Sequence, residues 1–145
     1  MKISIITVCY NSASTMEKTI ESVAKQTYKN IEYIVVDGHS KDNTIAIIKT
    51  HETVISKWVS EPDKGLYDAM NKGVEMATGD LIGILNSDDT FYNNTVLEEV
   101  IKFHTNNRLD ASVGNIVQQK ENGKIVRKYS SQNWHPEKLK IGFMP

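Results

Sequence analysis

The sequence predicts an α/β protein built on a mostly parallel sheet with helices on both faces. Two observations predict it. Apolar runs of strand length alternate with stretches of helical periodicity, and the polar residues that interrupt them gather just after the apolar runs. Repeated strand-helix-strand units imply right-handed crossovers, and in open sheets of this kind ligands bind beyond the carboxyl ends of the strands, near the point where strand order reverses. At 145 residues the chain has the length of one ordinary domain.

The elements follow in order. "KISIITVCY" reads as a buried first strand, and Ser14 with Glu17 three residues on looks like a capping box opening a helix with Met16, Ile20, Val23 and Ala24 on one face. "IEYIVVD" is the second strand. The next helix starts near Asp42 or Asn43 and carries Ile45, Ile47 and Ile48 to about His51. "VISKWVSE" alternates more and suits a third strand near an edge. Leu66, Met70, Val74 and Ala77 mark one face of a helix that stops at Gly79, where positive φ is expected. "LIGIL" is the fourth strand. Val96, Leu97, Val100, Ile101 and Phe103 mark a further helix, for which Asn93, Asn94 or Thr95 can cap the start. "DASVGNIVQQ" and "KIVRKYS" flank Glu121-Asn122-Gly123, a hairpin signal.

The chemistry-bearing residues lie at three strand ends. The first strand ends in Thr7, Val8, Cys9, Tyr10 and Asn11, the second in Asp37, Gly38, His39 and Ser40, and the fourth in Asn86, Ser87, Asp88 and Asp89. Adjacent carboxylates repel, and a divalent cation relieves that; Mg²⁺ or Mn²⁺ held by one or two carboxylates takes its remaining ligands from substrate phosphates and water. The plain alternative is that Asp88 and Asp89 only cap a turn and helix. Asp37 likewise suits either a turn or a site. In "EPDKGLYDAMNKG", Lys64 and Gly65 precede a helix N-terminus that can hold an anion, and Asp68 and Asn71 lie away from the apolar face, on a surface that is either functional or merely solvated. Of four histidines only His39 lies near the crevice; His51, His104 and His135 are expected at the surface.

Together these segments resemble glycosyltransferase family two. "ISIITVCYN", "KQTYKNIEYIVVDGHSKDNT" and "EPDKGLYDAMNKGVEMATGDLIGILNSDD" stand in the family's order over about residues 1 to 95, and the third is similar to a bacterial subgroup that builds cell-surface polysaccharides. The resemblance implies the GT-A nucleotide-sugar transferase fold, Rossmann-like and truncated at the C-terminus, with residues 1–109 as the donor-binding part and 110–145 as an incomplete beginning of the acceptor side. It implies that Thr7, Val8 and Tyr10 line a nucleoside pocket, that Asp37 contacts base or ribose, and that Asn86 and Ser87 belong to the nucleotide site, to which the helix N-terminus adds Lys64, Gly65 and Asp68 as further candidates. Asn86 to Asp88 stand at the family's Asp-x-Asp motif with Asn in first place, leaving Asp88, with Asp89 second, to bind Mn²⁺ or Mg²⁺. Many relatives have Asp at Gly38. The implied reaction is metal-dependent inverting transfer from a nucleoside-diphosphate sugar, a UDP-sugar by first expectation, to a sugar or lipid-linked acceptor hydroxyl. The family's general base lies further along, beyond Pro145, and no acidic residue after Asp89 suits the role, so a fragment without its base is expected.

Composition narrows the rest. Seventeen basic and eighteen acidic residues give a net charge of -1, which gives no electrostatic case for nucleic acid. Neither a membrane span nor a signal-peptide pattern is evident, so a cytoplasmic protein is expected, peripheral at most to the inner membrane face. The single cysteine, Cys9, suits a small buried hydrophobe. A weak homodimer is a further expectation. Sugar nucleotidyl transfer, a receiver domain and a nucleotide-binding module without turnover are the rival readings. The first needs a glycine-rich basic loop, which "CYNSAST" lacks, the second an acidic end to the first strand, and the third differs only by its missing base.

Overall fold

The computed structural model describes residues 1–120 and 122–132; Glu121 and His135 lie outside them. Two compact units are present, Met1–Ile101 and Lys102–Pro145. In the first, β1 (Ile3–Cys9), β2 (Ile31–Asp37), β3 (Lys57–Ser60) and β4 (Leu81–Ile84) form a wholly parallel sheet in the order β3-β2-β1-β4. Order reverses at β1, so the switch crevice opens between the carboxyl ends of β1 and β4. β3 lies at an edge, as its alternation predicts.

Alternation along β1 and β2 splits the apolar residues into two cores, because successive side chains point to opposite faces. Ile3, Ile5, Cys9, Tyr33 and Val35 pack with Met16, Ile20 and Val23 of α1 (Met16–Ala24), Ile48 of α2 (Thr44–Thr50), and Leu97 and Ile101 of α4 (Val96–Asn107). Ile6, Val8, Ile34 and Val36 pack on the other face with Ala69 of α3 (Leu66–Met76). Every residue of β1 is buried. β4 is different: its Ile82 and Ile84 are each 47% exposed, on the α3 side of the sheet. No helix among the described residues is long and apolar enough to cross a membrane.

Several local expectations are corrected. Ser14 forms no capping box: α1 starts at Met16 with Thr15 before it, and the amides of Thr15 and Met16 donate to the Ser12 carbonyl instead. α3 buries Ala69 and Gly73, while Leu66 and Val74 are exposed. The face is rotated because Gly73 lets the helix press on Ile6; a Cβ there would stand 2.4 Å from Ile6 Cγ2. Gly79 has no positive φ; it passes so close to β1 that a Cβ would lie 2.6 Å from the Ser4 amide nitrogen. His104 is buried rather than superficial, and Phe103 exposed, because the stripe through Leu97 and Ile101 continues at His104 with helical spacing. Its ring meets the Leu109 carbonyl and Ser112 Oγ. In the second unit β5 (Ile116–Gln119) and β6 (Ile125–Tyr129) form the expected antiparallel hairpin.

At the amino ends of the strands sits a buried carboxylate, Glu32, 4% exposed. It accepts from Ser4 Oγ (2.6 Å), the Thr78 amide (2.7 Å) and Thr78 Oγ1 (2.9 Å), and pairs with Lys2 (3.1 Å) and Lys57 (3.0 Å). Burial by itself would raise its carboxyl, but the hydrogen bonds from Ser4, Thr78, Lys57 and Lys2 outweigh it and hold Glu32 well below the usual carboxylate range.

Two outcomes follow. A depressed folded pKa contributes stability that is complete above the unfolded value of about 4.3 and lost as pH falls below it. Glu32→Gln therefore lowers stability at pH 7 by about 3 kcal/mol and flattens the acid limb of the stability profile, read by urea unfolding from pH 7 to pH 3. Gly73→Val, by overpacking against Ile6, costs about 3 kcal/mol in the same assay, whereas an α3 packed as its hydrophobic pattern suggests would tolerate it.

Candidate functional site

The crevice is built from loops at the carboxyl edge, stitched together by side chains. The β1–α1 loop turns through Asn11 at φ 50° and the β2–α2 loop through His39 at φ 66°, both in the left-handed region. The Asn11 amide donates to Ser40 Oγ (2.8 Å) and Asn11 Oδ1 accepts from the Lys41 amide (2.8 Å). The Ser12 amide donates to Thr44 Oγ1 (2.8 Å) and the Ala13 amide to Asp42 Oδ2 (3.0 Å). A continuous hydrogen-bonded shelf results. These loop donors are satisfied by neighbouring loops rather than by the sheet.

Beneath the shelf lies Asp37, with no exposed surface. Oδ1 accepts from Ser40 Oγ and, at 3.6 Å, from Cys9 Sγ; Oδ2 accepts from the Ser40 amide (3.0 Å) and Ser60 Oγ (2.7 Å). The carboxylate thus ties β1, the β2–α2 loop and β3 together. Burial, with Asp37 beside it, pushes the Cys9 thiol far up, so Cys9 behaves as the buried hydrophobe its setting suggests.

On the other side of β1 the β4 strand runs into the acidic turn. The Asp89 amide donates to the Asn86 carbonyl (3.0 Å), and Thr19 of α1, wholly buried, shares its hydroxyl between the carbonyls of Ser87 (3.0 Å) and Asp89 (2.8 Å). Ser12 Oγ meets Ser87 Oγ at 2.8 Å. Burial, and the charge of Asp88 after it, raise the Asp89 carboxyl above its ordinary range against the opposing hydrogen bond from Asn86. Asn86 Oδ1 is buried without a hydrogen-bond partner.

The predicted residues divide accordingly. Tyr10, 61% exposed, reaches the crevice surface, whereas the side chains of Thr7 and Val8 do not. Thr7 accepts from the buried Tyr33 hydroxyl in one core and Val8 packs in the other, because β1 is covered on both faces. Asp37 is enclosed. Asp68 serves its own loop: Oδ2 accepts from the Lys64 amide (3.1 Å) and pairs with Lys72 (3.5 Å), and that amide, ahead of Lys72, holds its carboxyl low. Lys64 and Gly65 are exposed before α3. Asn86, Ser87, Asp88 and Asp89 stand together at the end of β4. Ser40, expected at the end of the second strand, positions the site together with Thr19, Ser12 and Ser60, which carry no pattern that marks them in advance.

Among the described residues, no three His, Cys, Asp or Glu side chains converge as a closed metal cage. What the turn offers is two carboxylates and an unpartnered amide oxygen, a donor set that fits a hard cation completing its shell from phosphate and water.

Comparison with known proteins gives the family of the chain. A glycosyltransferase of Mycobacterium tuberculosis is 40% identical over 101 residues, 69% of this chain and 38% of that protein. A PGL/p-HBAD biosynthesis glycosyltransferase of Mycobacterium bovis is 35% identical over 103 residues, 69% of this chain and 40% of its own. S. aureus TarS, solved in complex with UDP-GlcNAc, has a TM-score of 0.71 at 25% identity, over 88% of this chain and 37% of the solved TarS chain. The chain therefore spans about two fifths of the length of these relatives. Residues 4–144 match the sequence model described as glycosyl transferase family 2, so the chain belongs to that family and has its GT-A fold.

Proposed function

We propose that this chain forms the donor-binding part of a metal-dependent, inverting glycosyltransferase, which holds a nucleoside-diphosphate sugar at the carboxyl edge of the sheet. The observation that carries the reading is the acidic turn. Asp88 and Asp89 are fixed beside the switch crevice by Thr19 and Ser12, with the orphaned Asn86 Oδ1 among them. A repelling pair and a buried unpartnered acceptor are both costly alone, and both are relieved by one cation.

Asp88 and Asp89 would hold Mn²⁺ or Mg²⁺, with Asn86 as an oxygen donor. The cation supplies charge to stabilise the departing diphosphate. The chain's own residues bind and orient: the shelf from Asn11 to Ser40 shapes the nucleoside side, Tyr10 offers an open ring to it, and Lys64 with the α3 N-terminus faces anionic groups. An acceptor hydroxyl, of a sugar or a lipid-linked sugar, would attack the anomeric carbon as a base takes its proton. The TarS complex supports a UDP-sugar donor, and the name of the M. bovis relative supports a role in bacterial surface polysaccharide or glycolipid assembly.

Calorimetric titration with UDP and GDP, each with Mn²⁺ and again after chelation, tests the reading. Binding is expected only with the metal, and at least about tenfold weaker in Asp88→Ala. Because Asp89 titrates above the ordinary aspartate value of about 3.9, the metal-dependent binding weakens as pH falls while that value is still below the solution pH. Equal binding with and without metal, in both proteins, overturns it.

A further inference from the structure

Asp63, in the β3–α3 loop, is the carboxylate that reaches over Gly38. A Cβ at Gly38 would lie 2.5 Å from Asp63 Oδ2 and 3.5 Å from Tyr10 Cδ2. The space that any side chain at position 38 would fill is therefore already taken by the Asp63 carboxylate, beside the exposed Tyr10 ring. Asp63 Oδ1 is anchored by the Gly65 amide at 2.8 Å, which fixes the direction of the group and leaves Oδ2 for another donor. Asp37, by contrast, has both oxygens engaged by Ser40, Ser60 and Cys9 and no exposed surface. To touch a ligand it would have to leave those donors, and the cost of breaking a buried charged network opposes that.

We propose that Asp63, not Asp37, is the carboxylate that reads the nucleobase of the donor, and that Gly38 is the position that makes room for it. The inference rests on the donor-site reading above. A carboxylate only accepts hydrogen bonds, so it favours bases with a ring N–H: uracil through N3–H, guanine through N1–H and its amino group. Adenine and cytosine offer it only an exocyclic amino group and set a ring-nitrogen lone pair, adenine N1 or cytosine N3, beside that donor, which opposes it. Tyr10 lies where its ring can stack on the base, which every base allows and which therefore adds affinity without choice. Asp37 is a positioning residue for the shelf beneath.

The test is calorimetric titration of the chain with UDP, GDP, ADP and CDP in the presence of Mn²⁺, on the parent and on Asp63→Asn, Gly38→Ala and Gly38→Ala/Asp63→Ala. The parent is expected to bind UDP or GDP at least about tenfold more tightly than ADP and CDP, the size of one hydrogen bond to a charged group. Asp63→Asn loses about that factor for the preferred base and narrows the discrimination, since an amide can donate to adenine or cytosine. Gly38→Ala displaces the carboxylate and gives a similar loss, and the double variant adds little to either single change. Asp63→Asn with unchanged base discrimination overturns the assignment, as does loss of discrimination in Asp37→Asn with the fold intact by circular dichroism. Metal-dependent binding of all four nucleotides alike keeps the diphosphate site and overturns the role of Asp63. Absence of binding in the parent overturns both readings.

Discussion

A carboxylate with no exposed surface has to be surrounded by donors, and at the working edge of this sheet that requirement falls on Asp37. Its four bonds draw Cys9, Ser40 and Ser60 to one point, at a register position where Cys9, Asp37 and Ser60 are direct neighbours across three strands. The β2–α2 loop is thereby held against the β1–α1 loop, and the bonds from Asn11 to Ser40 and Lys41 close the shelf. Three hydroxyl- or thiol-bearing side chains and one amide do this without a cation. Among the described residues, none of Asp37, Asp63, Asp88 and Asp89 at the carboxyl edge forms a salt bridge.

The opposite edge is built the other way. Glu32 is as deeply placed but is paired with Lys2 and Lys57, so its charge is neutralised inside the protein. One end of the sheet is electrostatically closed and the other is not, and the difference explains why a single fold can have a stability determinant at one edge and a ligand site at the other. Thr19 links the two demands on the acidic turn: it fixes the backbone of Ser87 and Asp89 through their carbonyls while leaving their side chains free of it.

Much of this was legible in the residues. The alternating elements, the parallel sheet, the edge position of β3 and the gathering of polar residues after strands all follow from apolar periodicity, because burial on two faces leaves a strong signal. The acidic turn was legible for the same reason: a carboxylate pair directly after an apolar strand has few places to lie. What could not be read was direction. Asp37 and Asp63 each precede a glycine or a Lys-Gly pair in loops of similar character, and nothing local says that one lies under the shelf and the other over it. Thr7 and Val8 were drawn toward the site by their position, yet packing against Tyr33 and Ala69 holds them inside. The face of α3 was misread because glycine carries no hydrophobic signal, although at Gly73 its lack of a side chain is what lets helix and strand meet.

The half-bare β4 strand carries a practical consequence. Ile82 and Ile84 expose alternate isoleucines on a strand whose outer edge has no partner in the four-stranded sheet. Open backbone donors and acceptors next to an apolar surface form a template on which another extended chain can be added. Neither proline nor lysine interrupts Leu81 to Ile84 to discourage that. Handling this polypeptide at high concentration is thus a contest between solubility and strand addition, and a lysine placed at Ile82 or Ile84 is the change that the geometry recommends for keeping it in solution.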